Sequence, residues 1–170
     1  KALARNMRRV MTIAGSKAIN YGPTDGFVPL KKQLVHRYLD FGIGINMDEL
    51  VITNGAQEAM AIALKCVTKP GDVVAIETPC YHGIIELIES LGLKALEIPL
   101  CPDNGIWLSD LERALNEHDI KACLFSTAIS NPVGSFMPDT NRQQLVELLE
   151  SHDVVLIEDD VYGDLYFTAK

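Results

Sequence analysis

The sequence predicts an α/β fold, three layers (α/β/α) around a mostly parallel sheet, and three observations lead to it. From residue 48 onward, strand-like and helix-like patterns alternate, giving five strands and four helices. The apolar run "VVLI" (154–157) suits a strand covered on both faces, as parallel strands are. Turn signals such as "KPGD" (69–72) and a helix-closing Gly92 separate the patterns.

In order, "ELVIT" (49–53) reads as a short strand and "AQEAMAIALKCVT" (56–68) as a helix with Met60, Ile62 or Ala63, and Leu64 inward. The strand "VVAIE" (73–77) follows, then the helix "HGIIELIESLG" (82–92) and the strand "KALEIPL" (94–100). Ser109 and Glu112 match a capping box opening a helix over 110–118. After the strand "IKACLFST" (120–127), Thr140 and Gln143 offer a second capping box for a helix through Ser151. The last strand is 154–158. Residues 1–47 differ: a helix (2–12), an irregular "YGPTDGF" (21–27) and a helix (28–41) read as a leader packed on the sheet domain 48–170.

Composition bounds the function classes. With 15 basic against 23 acidic residues and a net charge of −8, this segment does not suit a phosphate backbone. The basic opening Lys1, Arg5, Arg8 and Arg9 reads as the polar face of a helix whose apolar face holds Leu3, Met7 and Val10. No apolar run is long enough for a signal peptide or a membrane span. Cys66, Cys80, Cys101 and Cys123 form no CxxC pair and no Cys/His metal pattern. They read as small core residues in a reducing cytoplasm.

In such folds ligands collect beyond the carboxyl ends of the strands. In "TNGAQEA" (53–59) Asn54 is placed to cap a helix, and the amides of Gly55, Ala56 and Gln57 point outward as an anion cradle. A capped helix after a glycine turn explains the same residues. Tyr81, in "PCY", offers a flat platform or simple core filling. Asn131, in "SNPVG", presents an amide to a ligand oxygen or stabilises a turn. The stretch "EDDVY" (158–162) sets three acids at the end of a buried strand, and the next basic residue is Lys170. Clustered carboxylates there cost desolvation free energy unless something cationic compensates. By strand alternation Asp159 shares a face with Ile157 and Glu158 points away, so at least one acid faces the crevice.

Together these signals favour a ligand with a phosphate for Gly55–Gln57, a flat ring for Tyr81, a polar substituent for Asn131 and Tyr162, and a cationic nitrogen for Asp159. Pyridoxal 5′-phosphate has all four features. Glu158 and Asp160 are then structural.

On "TNGAQEA", "PCY", "NPVG" and "EDDVY", with Asn131 and Asp159 separated by 159 − 131 = 28 positions, the chain resembles the fold-type I, class I/II aminotransferases. The resemblance implies the large domain of a pyridoxal-phosphate transferase. Through "YGPTDGFVPL" (21–30), it also implies a homodimer in which Tyr21 reaches the cofactor phosphate of the partner subunit. "DELVITNGAQEAM", "LGLKALEIPL" and "LIEDDVYGDLYF" more narrowly resemble the aminotransferase-like domain of MocR-type regulators of the GntR family. In those proteins DNA is bound by a separate winged-helix domain, and this domain senses pyridoxal phosphate or its amino-acid adducts. The alternatives are a free-standing aminotransferase acting on an amino acid and a 2-oxo acid, and a phosphate-binding α/β module without this cofactor. The family's covalent lysine is expected ~30–40 residues past the aspartate, whereas "FTAK" ends the chain 170 − 159 = 11 past Asp159. The expectation is therefore an internal fragment with no catalytic residue of its own, inactive in transamination. His82 reads as a partly exposed helix-start residue.

Overall fold

A computed structural model describes residues 1–165; Lys170 and the "FTAK" stretch lie outside the described residues. The chain divides into two compact units, Lys1–Thr53 and Asn54 onward.

In the first unit, α1 (Ala2–Ala14) carries Leu3, Met7 and Val10, all exposed. Helix α2 (Val28–Asp40) begins with Pro29 in its first turn, where its missing N–H costs nothing. Lys31, buried in α2, pairs with Asp25 of the preceding segment, whose carboxyl is held below its usual range by that ammonium. Gly26 has φ 116°, and a Cβ there would lie 2.5 Å from the Cβ of Ile52, so only glycine fits.

The expected strand at 49–53 does not form. Residues Met47–Glu49 make a 3-10 turn with an Asn46/Glu49 capping box, and Ile52 N–H bonds to Asp25 O. The segment is extended, but its hydrogen bond goes to a turn rather than to a sheet.

The second unit holds α3 (Ala56–Val67), β1 (Val73–Thr78), α4 (His82–Ser90), β2 (Lys94–Cys101) and β3 (Gly105–Ile106). It continues with α5 (Leu108–Glu117), β4 (Ile120–Phe125), α6 (Asp139–Ser151) and β5 (Val155–Glu158). The sheet order is β3-β2-β1-β4-β5, parallel except for β3, which pairs antiparallel with β2 through Leu100 and Ile106. That short edge strand returns from a tight turn and was not expected from sequence.

Strand alternation sorts the core into two layers. Val74, Ile76, Leu124 and Ile157 face α3 and α4, where Met60, Leu64, Ile84 and Ile88 meet them. Ala75, Cys123, Phe125 and Leu156 face α5 and α6, against Leu111, Leu115, Leu145 and Leu149. The expected three-layer α/β/α fold is what the structure has.

Two further features differ from expectation. Neither predicted capping box forms: the N-caps are Trp107 for α5 and Pro138 for α6, and neither makes a side-chain cap. Ser109 and Thr140 fall inside their helices, each two positions past the N-cap. Of the cysteines only Cys123 is buried, its thiol pushed up to about 12 by burial; Cys80 and Cys101 are half-buried and Cys66 is exposed. Cys66 lies off the inward stripe that Met60 and Leu64 define on α3. No described helix is long and apolar enough to cross a membrane.

Candidate functional site

The order in which strands enter the sheet creates the site. From β1 the chain moves outward to β2 and β3, then crosses back to β4 and β5 on the other side. Loops leaving the two strands at such a reversal diverge and open a crevice at their carboxyl ends. A cleft of about 380 Å³ is lined by Gly55, Ala56 and Gln57 at the start of α3, Tyr81 after β1, and Asn131 after β4. Asp159 and Tyr162, after β5, complete this set. Seven of the eight residues singled out from sequence therefore meet in one cleft. The eighth, Tyr21, belongs to the first unit, where its side chain is fully exposed.

At the helix end, Gly55 is the N-cap of α3 with φ 106°, a left-handed geometry that favours glycine. Apart from its chain neighbours, nothing lies within 4 Å of where its Cβ would sit. The first-turn amides of any helix lack acceptors within the helix and carry the positive end of its dipole, so an anion is stabilised there. Asn54 is not the cap that the sequence suggested. Its backbone and side-chain N–H groups donate to Glu58 Oε2, at 2.5 and 3.1 Å, because Glu58 reaches back one turn.

Tyr81 is half-buried and meets His82 edge-on, with ring centroids 4.5 Å apart; His82 itself is exposed at the helix start. Gly83 makes this corner possible. A Cβ there would fall 2.4 Å from both Gln57 Nε2 and Tyr81 Cε1. Gly83→Ala should therefore displace the tyrosine ring from the cleft wall and cost about 1–3 kcal/mol of stability. A crystal structure of the variant with Tyr81 unmoved would contradict this account.

The Asn131 loop is fixed from within. Ser130 Oγ accepts the Ser135 N–H at 3.0 Å, Gly134 N–H donates to Ser130 O at 2.7 Å, and Gly134 takes φ 72°. From α6, Arg142 donates to Thr127 O at 3.4 Å and lies over the Phe136 ring at 4.7 Å.

The two acids ending β5 divide as alternation requires. Asp159 N–H bonds to Phe125 O at 3.0 Å, extending the ladder by one step, and its side chain lines the cleft. One of its carboxylate oxygens accepts the Val161 N–H at 3.3 Å. Glu158 accepts a hydrogen bond from Thr127 Oγ1.

Sequence reasoning missed Met60, Ser126 and Val161, which also line the cleft, and it missed Glu77. Glu77, second from the end of β1, is 1% exposed. Its Oε2 accepts the Ser126 N–H at 3.0 Å, while Oε1, equally buried, has no hydrogen-bond partner among the described residues. Burial, opposed by the Ser126 bond and reinforced by repulsion from Asp159, pushes its carboxyl up to about 7. An acid ending an otherwise apolar strand, "VVAIE", was the available signal.

The cleft thus offers an anion cradle, a ring wall, two polar groups and a carboxylate suited to a cation. Residues 1–170 match the family described as aminotransferase class I and II. Over 165 residues the chain is 38% identical to the uncharacterized HTH-type transcriptional regulator YjiR of Escherichia coli, covering 97% of this chain and 35% of that protein. It is 30% identical over 159 residues to 2-aminoadipate transaminase of Thermus thermophilus, covering 94% of this chain and 38% of the enzyme. Among solved structures, LysN, the α-aminoadipate aminotransferase of Thermus thermophilus complexed with N-(5′-phosphopyridoxyl)-L-leucine, superimposes with a TM-score of 0.88. That match has 29% identity and covers 98% of this chain and 41% of LysN. The chain therefore spans well under half the length of these relatives.

Proposed function

The chain belongs to the class I and II aminotransferase family, and on that premise we propose that it forms part of a pyridoxal 5′-phosphate site in the aminotransferase-like domain of a MocR-type, GntR-family regulator. The carrying observation is the convergence of Gly55, Ala56, Gln57, Tyr81, Asn131, Asp159 and Tyr162 on one cleft. The start of α3 at Gly55–Gln57 and the carboxylate at Asp159, both lining the cleft, fit the two charged ends of that cofactor. When bound, the cofactor supplies an electron-withdrawing ring. The α3 amides hold its phosphate, Tyr81 flanks the ring, Asn131 and Tyr162 bind the ring oxygen, and Asp159 keeps the ring nitrogen protonated. Regulation of transcription by pyridoxal phosphate or an amino-acid adduct is favoured over enzyme activity by the higher identity to the HTH-type regulator. The active form is a homodimer in which Tyr21 reaches the partner subunit's cofactor phosphate, and DNA is bound by a domain other than this one.

The test uses full-length protein. Added pyridoxal phosphate should give a saturable absorbance band and change the mobility of a promoter fragment in a gel-shift assay. Tyr21→Phe should weaken cofactor binding without changing the dimer seen in sedimentation. A band accompanied by conversion of an amino acid to its 2-oxo acid, with no effect on DNA, would establish the second reading, a free-standing aminotransferase. The superposition on LysN favours that reading. Absence of any band would sink both.

A further inference from the structure

We propose that Glu77 is a positioning acid behind Asp159: its buried carboxyl gives up a proton when a cation comes to lie against Asp159, so filling the cleft and the charge of Glu77 are linked. This rests on the cofactor reading of the cleft. Glu77 stands at the carboxyl end of central β1, bonded to the backbone of Ser126, which itself lines the cleft. Its second carboxylate oxygen is buried without a partner among the described residues, an arrangement that costs free energy and that fold stability alone does not explain. The charged neighbours from the adjoining elements are few. Asp159 beyond β5 repels it, and the half-buried Cys80 thiol just beyond β1 is pushed up first by its burial and then by Glu77 and by Glu97 of β2. Glu158, which ends β5, and Arg142 of α6 are both engaged with Thr127.

The sign follows from that repulsion. Asp159 raises the proton affinity of Glu77, so a pyridinium nitrogen neutralising Asp159 lowers it, and the released proton goes to solvent. By linkage, affinity for the cation then rises with pH up to about 7, where Glu77 loses its proton in the free protein, and levels off above. The charged Glu77 in turn reinforces the proton on the ring nitrogen.

Pyridoxamine 5′-phosphate, which makes no covalent bond to the protein, is the probe. It is titrated into full-length protein by calorimetry at pH 6 and pH 8, in buffers of different ionisation enthalpy. Wild type should release more protons at pH 6 than Glu77→Gln, which keeps the Ser126 bond but cannot titrate. Its affinity should gain about fivefold more than the variant's between the two pH values. Equal proton counts and parallel pH profiles, with both proteins binding, would overturn the role of Glu77 and leave the site reading standing. Failure of wild type to bind would overturn both. Should the variant not fold, wild type alone decides: infrared difference spectra must lose a protonated-carboxyl band on adding the probe, and an unchanged band refutes the proposal.

Discussion

Asp159→Ala in the full-length protein should weaken pyridoxal phosphate binding by about 3 kcal/mol, on the order of a hundredfold, as followed by the cofactor absorbance. The size comes from what the substitution leaves behind. Asp159 sits half-buried where β5 ends, and its backbone is fixed by the bond to Phe125 O, so its side chain is delivered to the cleft by the sheet itself. A ring nitrogen held there as a cation loses its counter-charge but stays away from water. Asp159→Asn keeps the shape and removes only the charge, so it should bind almost as weakly and shift the absorbance toward that of the unprotonated ring. Asp160→Ala, on an exposed neighbour outside the cleft wall, should change affinity by less than about 0.5 kcal/mol. Equal losses at Asp159 and Asp160 would mean that general acidity, and not a placed carboxylate, governs binding.

The contrast between Asp159 and Glu158 marks where the sequence was legible. A period of two in "VLIEDD" is enough to separate Asp159 from Glu158, because a strand has only two faces. The same rule assigned Met60 and Leu64 inward on α3 through the helical period, and both are buried. It failed at "ELVIT", where an apolar extended segment bonds to the Asp25 turn; periodicity reports extension but not which partner takes the hydrogen bonds. It failed again at the helix starts, because Ser109 and Thr140 are good caps only in one register, and the preceding Trp107 and Pro138 set a different one. Glu77 was marked in the sequence only as an acid ending an apolar strand, and its role was illegible for another reason. Its significance lies in the bond from Ser126 and the repulsion from Asp159, which arise only after the sheet has formed in the order β1-β4-β5.

The largest stability loss should come from Phe125→Ala, about 3–5 kcal/mol measured by urea unfolding of the full-length protein. Phe125 is 1% exposed and fills the layer under α5 and α6, among Ala75, Met137 and Leu145. Removing the ring deletes its transfer free energy and leaves a cavity that a sheet pinned on both sides by β1 and β5 can collapse into only in part. Against a typical total of about 5–15 kcal/mol, this is a large fraction. Phe125→Leu should cost less, because most of the volume remains. The backbone carbonyl that holds Asp159 is unchanged in both variants, so cofactor affinity of the folded protein should stay within a few-fold of wild type. A variant that stays stable but binds poorly would show instead that the ring positions the cleft directly, and that the core and the site are not separable at the end of β4.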